Sequence, residues 1–395
     1  MQTLSQPAEI EGLTMKTPTE LIDSRCHAAD AVNVVSVSGG KDSTAQWLLG
    51  VENEVENLIP VFADTGHEHE LTYEYLDYLE RNIGKITRVK ADFSSQIEKK
   101  REVVKNKWPE DLAKVTPGRW HPIKETEQEM PSEPKDPFCI GMQNGDWVWI
   151  SAIPALDDKE INRVVSNALD ALVPTGNPFI DLCLWKGRFP STRARFCSFE
   201  LKHEPIREQV VEPLLDQFDE VISWQGVREQ ESKAREGLDI WVPDADNVPG
   251  LNVYRPVYKW KHEEVFAIAK RHGLKHNPLY SMGCSRVGCM PCVHVNKAEL
   301  KEIFYRFPEV VKYMDDMEDL VAKASKRGNA VFFYSGTDPV KATRDGRKVT
   351  LNRTNYRFSA YEDYALSSRG GRQFDLLTQT ENLSTCNSVY AGVCE

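Results

Sequence analysis

The segment that most restricts this chain is Ser38-Gly39-Gly40-Lys41-Asp42-Ser43, because of what stands on either side of it. Before it, Val32-Asn33-Val34-Val35-Ser36-Val37 is a β-branched run of strand length. After it, Thr44-Ala45-Gln46-Trp47-Leu48-Leu49 reads as a helix. A strand that passes through two glycines into a helix turns backbone N–H groups and the helix N-terminus toward one point, a seat for an anion. Lys41 adds a mobile positive charge, and Ser38 and Ser43 add hydroxyl donors. The spacing differs from the GxxxxGK[ST] loop that grips the outer phosphates of ATP. A plain strand–helix turn explains a lone glycine pair; it does not explain lysine and two serines at the same junction.

The alternation continues downstream. Leu58-Ile59-Pro60-Val61-Phe62 is a second apolar run ending at Ala63-Asp64-Thr65-Gly66, with Leu71, Tyr75, Leu76 and Leu79 following at helical spacing. Ile86-Thr87-Arg88-Val89 is a third strand candidate. Repeated strand–loop–helix units predict an α/β fold: a mainly parallel sheet with flanking helices and ligands at the carboxyl ends of its strands. The pattern weakens from about Ser94 to Ile150, and Lys124 to Pro137 is polar, acidic and Pro-punctuated, an exposed loop. It resumes at Glu220 to Gly226, and His262 to His272 and Pro308 to Lys326 read as amphipathic helices.

The expected organisation is a lead-in over 1–30, a nucleotide-binding domain over 31–93 and 191–275, and an insertion over 94–190. A cysteine-cluster module over 276–328 and a basic C-terminal extension over 329–395 complete it.

Ser38 to Ser43 matches the signature of the PP-loop ATP pyrophosphatases, which cleave ATP between the α- and β-phosphates. Other segments resemble one branch of them, the phosphoadenosine-phosphosulfate (PAPS) reductase family. These are Asp64-Thr65-Gly66 with Glu68, Gly226-Val227-Arg228-Glu229-Gln230-Glu231-Ser232 with Arg235, Arg255-Pro256-Val257 with Trp260, and Asn277-Pro278-Leu279-Tyr280. The resemblance runs from about Val32 to Cys292. It implies a PP-loop sheet that binds an adenine nucleotide, with magnesium-bound ATP as substrate. Asp64 at a strand end is placed to hold the magnesium, directly or through water. Arg228 and Arg235 offer planar, always-charged forks for phosphate or phosphosulfate, and Glu231 orients one of them. Lys41, Asp42 and Arg228 are the expected catalytic set. Surface ion pairs with local acids are the plainer account of these arginines.

Cys284, Cys289 and Cys292 have C-x4-C-x2-C spacing on a glycine-containing segment, a chelating face for a soft metal or an iron–sulfur cluster. The fourth ligand is assigned to Cys197. In relatives that Arg195-Phe196-Cys197 to Leu201-Lys202 resembles, an R-x-C-x-x-x-L-K sequence supplies a cysteine to the same site. This three-plus-one pattern resembles the sulfur-inserting subunit of DNA phosphorothioation systems, which implies a [4Fe–4S] cluster. A structural zinc held by the four thiolates is the alternative that spacing leaves open, with His294 near enough to substitute as a ligand. Cys26, Cys139 and Cys183 read as packing cysteines.

Composition sets the outer bounds. Nine cysteines in 395 residues argue against a disulfide framework, and a net charge of -11 excludes a generally basic nucleic-acid coat. No apolar run reaches the roughly 18 residues of a membrane span, and the opening residues lack the features of a secretory leader, so a cytoplasmic protein away from membranes is expected. Within this acidic chain, Lys341 to Arg372 carries eight basic residues against three acids, with Tyr356, Phe358 and Tyr361 interleaved. That suits nucleic-acid contact or a basic edge packed on an acidic body. His67-Glu68-His69-Glu70 reads as a solvated helix start. Cys386 and Cys394 are candidates for sulfur relay or a redox pair; no E-C-G-[IL]-H tail of the thioredoxin-dependent reductases is present.

The expected function is therefore ATP-driven sulfur transfer. ATP is cleaved to AMP and pyrophosphate, a substrate is adenylated, and sulfur comes from the cluster or from a donor such as a cysteine desulfurase. Nucleic acid is the acceptor that the resemblance implies. The alternatives are a PAPS or adenylyl-sulfate reductase releasing sulfite, and a nucleotide-binding interaction module without turnover.

Overall fold

The computed structural model describes residues 22–122, 127–139, 142–192, 194–333, 341–344, 347–350 and 357–367. These form two compact units. The first comprises residues 22–91 and 196–306, the second 92–195 and 307–367. The cysteine segment thus belongs to the same unit as the glycine loop, and the helix Pro308–Lys323 goes with residues 92–195.

The first unit is built on a six-stranded sheet. In chain order it comprises β1 (Ala31–Ser36), α1 (Lys41–Glu52), β2 (Leu58–Asp64), α2 (Glu70–Asn82), β3 (Thr87–Lys90) and β4 (Glu220–Trp224). Then come β5 (Trp241–Val242), β6 (Leu251–Tyr254), α3 (His262–Arg271) and α4 (Lys297–Arg306). The strand order is β3-β2-β1-β4-β6-β5, all parallel except β5, which runs antiparallel to β6. The fold is the α/β sheet with flanking helices that the alternation predicts.

The sheet is buried on both faces, which explains why β1 reads as a continuous apolar run rather than an alternating one. Val35 and Val37 pack with Leu48, Leu49, Leu76, Leu79, Ile222 and Trp224 on one face. Val32 and Val34 pack with Val61, Val89, Val221 and Val253 on the other. Asn33, the polar residue inside β1, is fully buried and satisfied: its amide donates to the Cys26 and Glu56 carbonyls, and its Oδ1 accepts from the Trp224 indole at 3.0 Å. Burial pushes the Cys26 thiol up to about 12, as befits a packing cysteine.

Between β3 and β4 in sequence, residues 196–215 form a helical run in which α-helical turns alternate with two π-helical ones, Phe199–His203 and Arg207–Val211. Such π turns tend to occur at functional sites.

The second unit combines the helices Ser94–Asn106, Asp158–Ala171, Pro178–Lys186 and Pro308–Lys323 with a three-stranded antiparallel sheet of Arg119–Pro122, Trp147–Ile150 and Gln143–Asn144. The half-buried Lys100 ammonium donates to the Leu184 and Ala324 carbonyls at 2.7 and 2.9 Å, satisfying two helix ends at once. Residues 127–139 are an irregular, mostly exposed loop, as their composition predicts. Cys139 lies half-buried on that loop rather than in a core; Cys183 is fully buried.

In the C-terminal extension, the described residues Arg357, Phe358 and Tyr361 follow the second of the two expectations, a basic edge packed on an acidic body. Phe358 is 0% exposed and stacks on Phe333, and Tyr361 meets the same ring edge-on. Arg357 pairs with Asp319 at 2.5 Å, and both oxygens of Glu318 accept backbone N–H groups, from Phe332 and Phe358. These aromatics pack the segment against the acidic face of Pro308–Lys323. Lys341–Arg344 and Arg347–Thr350 pair as an antiparallel hairpin. Tyr356, Cys386 and Cys394 lie outside the described residues.

Candidate functional site

From β1 the chain moves to β2 and β3 on one side, and β4 and β6 fill the other. The crevice at the carboxyl ends of β1 and β4 is therefore the switch point where open α/β sheets bind ligands. Ser38 to Ser43 fills it. Gly39 has φ +74°, a left-handed conformation that disfavours a side chain, and Gly40 caps α1. The Ser43 hydroxyl lies 3.1 Å from the Ser38 hydroxyl and accepts the Ser38 N–H. The Lys41 N–H donates to the Tyr280 hydroxyl at 2.9 Å, and the Asn277 amide reaches the Gly39 carbonyl at 3.4 Å. Asn277-Pro278-Leu279-Tyr280 thus acts as a brace for the loop, a role its sequence did not reveal.

The charges form a buried chain. Asp42, 0% exposed, accepts from the Lys41 ammonium at 2.7 Å and from the Arg228 guanidinium. Arg228 is also 3.7 Å from Glu231, which pairs in turn with Arg235. Burial would raise the Asp42 carboxyl, but Lys41 and Arg228 outweigh it and hold it below the usual carboxylate range. Arg228 is therefore no surface arginine: besides the local Glu231 it pairs with Asp42, at the start of the helix that follows the neighbouring strand β1. Three cations face two carboxylates, all less than a tenth exposed, so the chain carries a surplus positive charge that a bound anion would neutralise. Ser232 stands beside it with a buried hydroxyl that has no hydrogen-bond partner in the structure.

Gly226 makes this approach possible. A Cβ there would sit 3.1 Å from the Asp42 carbonyl carbon and from the Ser43 N, backbone atoms that cannot swing aside. Gly226→Ala is expected to cost about 1–3 kcal/mol in urea melts and to weaken anion binding at the loop, because α1 must retreat from β4.

The loop after β2 faces two ways. The Asp64 carboxylate accepts the Gly66 N–H at 2.9 Å and the Tyr73 hydroxyl at 2.7 Å. Thr65, by contrast, points its hydroxyl at the cysteine segment: it donates to Glu68 at 2.7 Å and lies 3.6 Å from the Cys289 sulfur. The two loops are laced together by a Glu68–Cys289 bridge, by the Met290 N–H on the His67 carbonyl at 2.8 Å, and by the His67 ring on the Pro291 carbonyl at 3.0 Å.

The solvated helix start expected at His67 to Glu70 is thus corrected for its first half. His67 is 3% exposed, and Glu68 is half-buried against Thr65, Tyr73 and Cys289; only His69, the α2 cap, and Glu70 behave as expected. Burial pushes the His67 imidazole down to about 4, against an ordinary value of 6.5. The unfolded chain therefore binds the extra proton between these values, and stability falls as pH drops from 6.5 through 4. The loss reaches about 3 kcal/mol at most. Urea melts across that window should show it, with a shallower descent in His67→Gln.

Cys197 opens the helical run, and Lys202 lies one π turn further on. Burial pushes the Cys197 and Cys289 thiols up to about 11, with Cys292 adding to both, while Lys202 opposes the rise. Burial acts against the Lys202 ammonium, yet Cys289 and Glu68 hold it above its ordinary value. Cys197, Cys289 and Cys292 thus share one environment. Cys284 is 0% exposed in the same loop, next to Arg306. Among the described residues, no three Cys, His, Asp or Glu side chains are arranged to hold a metal ion. The donor chemistry itself fits a soft metal or cluster: thiols grouped beside an ammonium that offsets thiolate charge.

A family model for the phosphoadenosine phosphosulfate reductase domain matches residues 32–295, more than half of the chain. The chain belongs to this family. An uncharacterized 37.8 kDa protein from the gpa 5' region of Escherichia phage 186 is 51% identical over 375 residues, covering 95% of this chain and all of that one. Adenosine 5'-phosphosulfate reductase of Neisseria meningitidis is 32% identical over 114 residues, which span 29% of this chain and 44% of the reductase. A crystal structure of PAPS reductase from Candida auris aligns over 70% of this chain and 90% of its own, at 12% identity and a TM-score of 0.36. In this member of the PAPS reductase family, no helix among the described residues is long and apolar enough to cross a membrane.

Proposed function

We propose that this protein binds magnesium-ATP over Ser38 to Ser43 and cleaves it between the α- and β-phosphates, adenylating an acceptor that then receives sulfur. The observation that carries the reading is the buried chain Lys41–Asp42–Arg228–Glu231–Arg235 at the switch point, whose surplus positive charge asks for an anion. In this mechanism an acceptor oxygen attacks the α-phosphorus. The bond to the bridging oxygen breaks, and its electron pair leaves with pyrophosphate. Lys41 and the loop N–H groups stabilise the charge on the departing group, Arg228 orients the phosphates, and Asp64 takes the magnesium. Asp42 holds Lys41 and Arg228 at their separation.

Cys197, Cys284, Cys289 and Cys292 are the residues that would hold a [4Fe–4S] cluster, which when bound supplies soft sulfur and electron chemistry. A structural zinc would use the same thiols. Stoichiometric zinc without labile sulfide in anaerobically purified protein would remove the cluster from this account. Nucleic acid as acceptor and a cysteine desulfurase as donor follow from the resemblance.

A second reading is favoured by one observation, the 32% identity to an adenosine 5'-phosphosulfate reductase over 114 residues. In it the same pocket takes a preformed sulfonucleotide, and a thiol reductant supplies the two electrons that release sulfite and leave the adenosine phosphate. Calorimetric titration of anaerobic protein separates the two. Tight magnesium-ATP binding with weak PAPS and adenylyl-sulfate binding supports activation chemistry; the reverse selects the reductase.

A further inference from the structure

Tyr73 stands on the first turns of α2 with its hydroxyl between two carboxylates that serve different parts of the site. It lies 2.7 Å from Asp64 Oδ1 and 3.1 Å from Glu68 Oε2. A phenol carries one proton, so it donates fully to only one of these acceptors at a time. Asp64 ends β2 on the nucleotide side, whereas Glu68 Oε1 lies 2.7 Å from the Thr65 hydroxyl and 3.8 Å from the Cys289 sulfur. The result is a continuous run of polar contacts, Asp64–Tyr73–Glu68–Cys289, within one compact unit. Neither Tyr73 nor this use of Glu68 is part of the sequence motifs of the site.

We propose that Tyr73 is a positioning residue that links the magnesium end of the nucleotide site to the cysteine pocket through its single shared proton. This rests on the reading that Asp64 takes the magnesium of bound ATP. When a cation occupies Asp64, the carboxylate is a poorer acceptor and the phenol turns to Glu68. When Glu68 is the poorer acceptor, the phenol turns to Asp64 and competes with the cation. Whatever changes the cysteine pocket at Glu68 therefore changes magnesium-nucleotide affinity, and the reverse holds by linkage.

A double-mutant cycle tests the link, with calorimetry on the full chain and the magnesium complex of α,β-methylene-ATP as the probe, whose α–β bridge cannot be cleaved. Glu68→Gln replaces a carboxylate by a weaker, neutral acceptor of the same shape. It is expected to weaken binding of the magnesium-bound probe about three- to tenfold, the span of ~0.7 to 1.4 kcal/mol. In the Tyr73→Phe background the same substitution should change affinity less than about 1.5-fold, because the shared proton is gone. Binding of the probe in EDTA should not respond to Glu68→Gln in either background, which separates the link from a general structural loss. An equal loss in EDTA, or a Glu68→Gln effect that persists in Tyr73→Phe, overturns the proposal. Failure of the native protein to bind α,β-methylene-ATP in a magnesium-dependent way overturns both the proposal and the nucleotide reading beneath it.

Discussion

Asp42→Ala is expected to destabilise the first unit by about 3–5 kcal/mol, more than any other single substitution in the site. The Asp42 carboxylate is wholly buried between Lys41 and Arg228, which are themselves 6% and 4% exposed. Removing it leaves two like charges facing each other, offset only by Glu231, 3.7 Å from Arg228. Lys41 sits at the start of α1 and Arg228 just beyond β4, so the repulsion acts on the contact that joins the two halves of the sheet. Urea melts should show the loss in midpoint. Phosphate or pyrophosphate should restore part of it, because an anion in the loop takes over the neutralising role. A melt unchanged within about 1 kcal/mol would mean that water reaches these charges.

The second large effect is on turnover. Lys41→Ala is expected to lower the rate of pyrophosphate release about 10²- to 10³-fold, the usual consequence of removing one group that stabilises developing charge. The fold should tolerate it better than Asp42→Ala, since Asp42 keeps Arg228 as a partner. Lys41→Arg should recover little, because a planar guanidinium does not reproduce a compact ammonium at the mouth of the loop. Equal losses in turnover and stability for Lys41→Ala would make Lys41 a structural residue instead.

Much of the sheet was legible because its signals are local. The β-branched run over Val32 to Val37, the glycine pair and the helical spacing of Tyr75, Leu76 and Leu79 each declare an element within a few residues. The order of motifs carried the family. Helix Ser94–Asn106 gives no clear periodic signal for a physical reason: only Ile97 and Val104 are buried on it, and apart from the exposed Val103 the rest of its surface is charged or polar. The site was legible in its residues but not in its connections. Nothing local says that Tyr280 holds Lys41 from 239 positions away, or that Arg228 pairs with Asp42 across 186. His67 and Glu68 misled because a polar tetrad before a helix usually faces water, whereas here the cysteine loop covers its first half. The same covering explains why Thr65, grouped with the nucleotide residues by its motif, turns toward Cys289. Phe358 and Tyr361 left two readings open, because aromatics spaced among arginines suit a stacking surface as well as a packed edge; both join Phe333 in a packed cluster.

The central claim is that this pocket acts on the α-phosphate of ATP. The most direct measurement is chromatography of nucleotide products after anaerobic incubation with magnesium-ATP and candidate acceptors, including nucleic acid and a sulfur donor. A parallel arm supplies adenylyl sulfate, PAPS and a thiol reductant. The account predicts AMP and pyrophosphate in equal amounts from ATP, abolished in Lys41→Ala, and no sulfite in the parallel arm. Sulfite from either sulfonucleotide, with ATP returned intact, would contradict it.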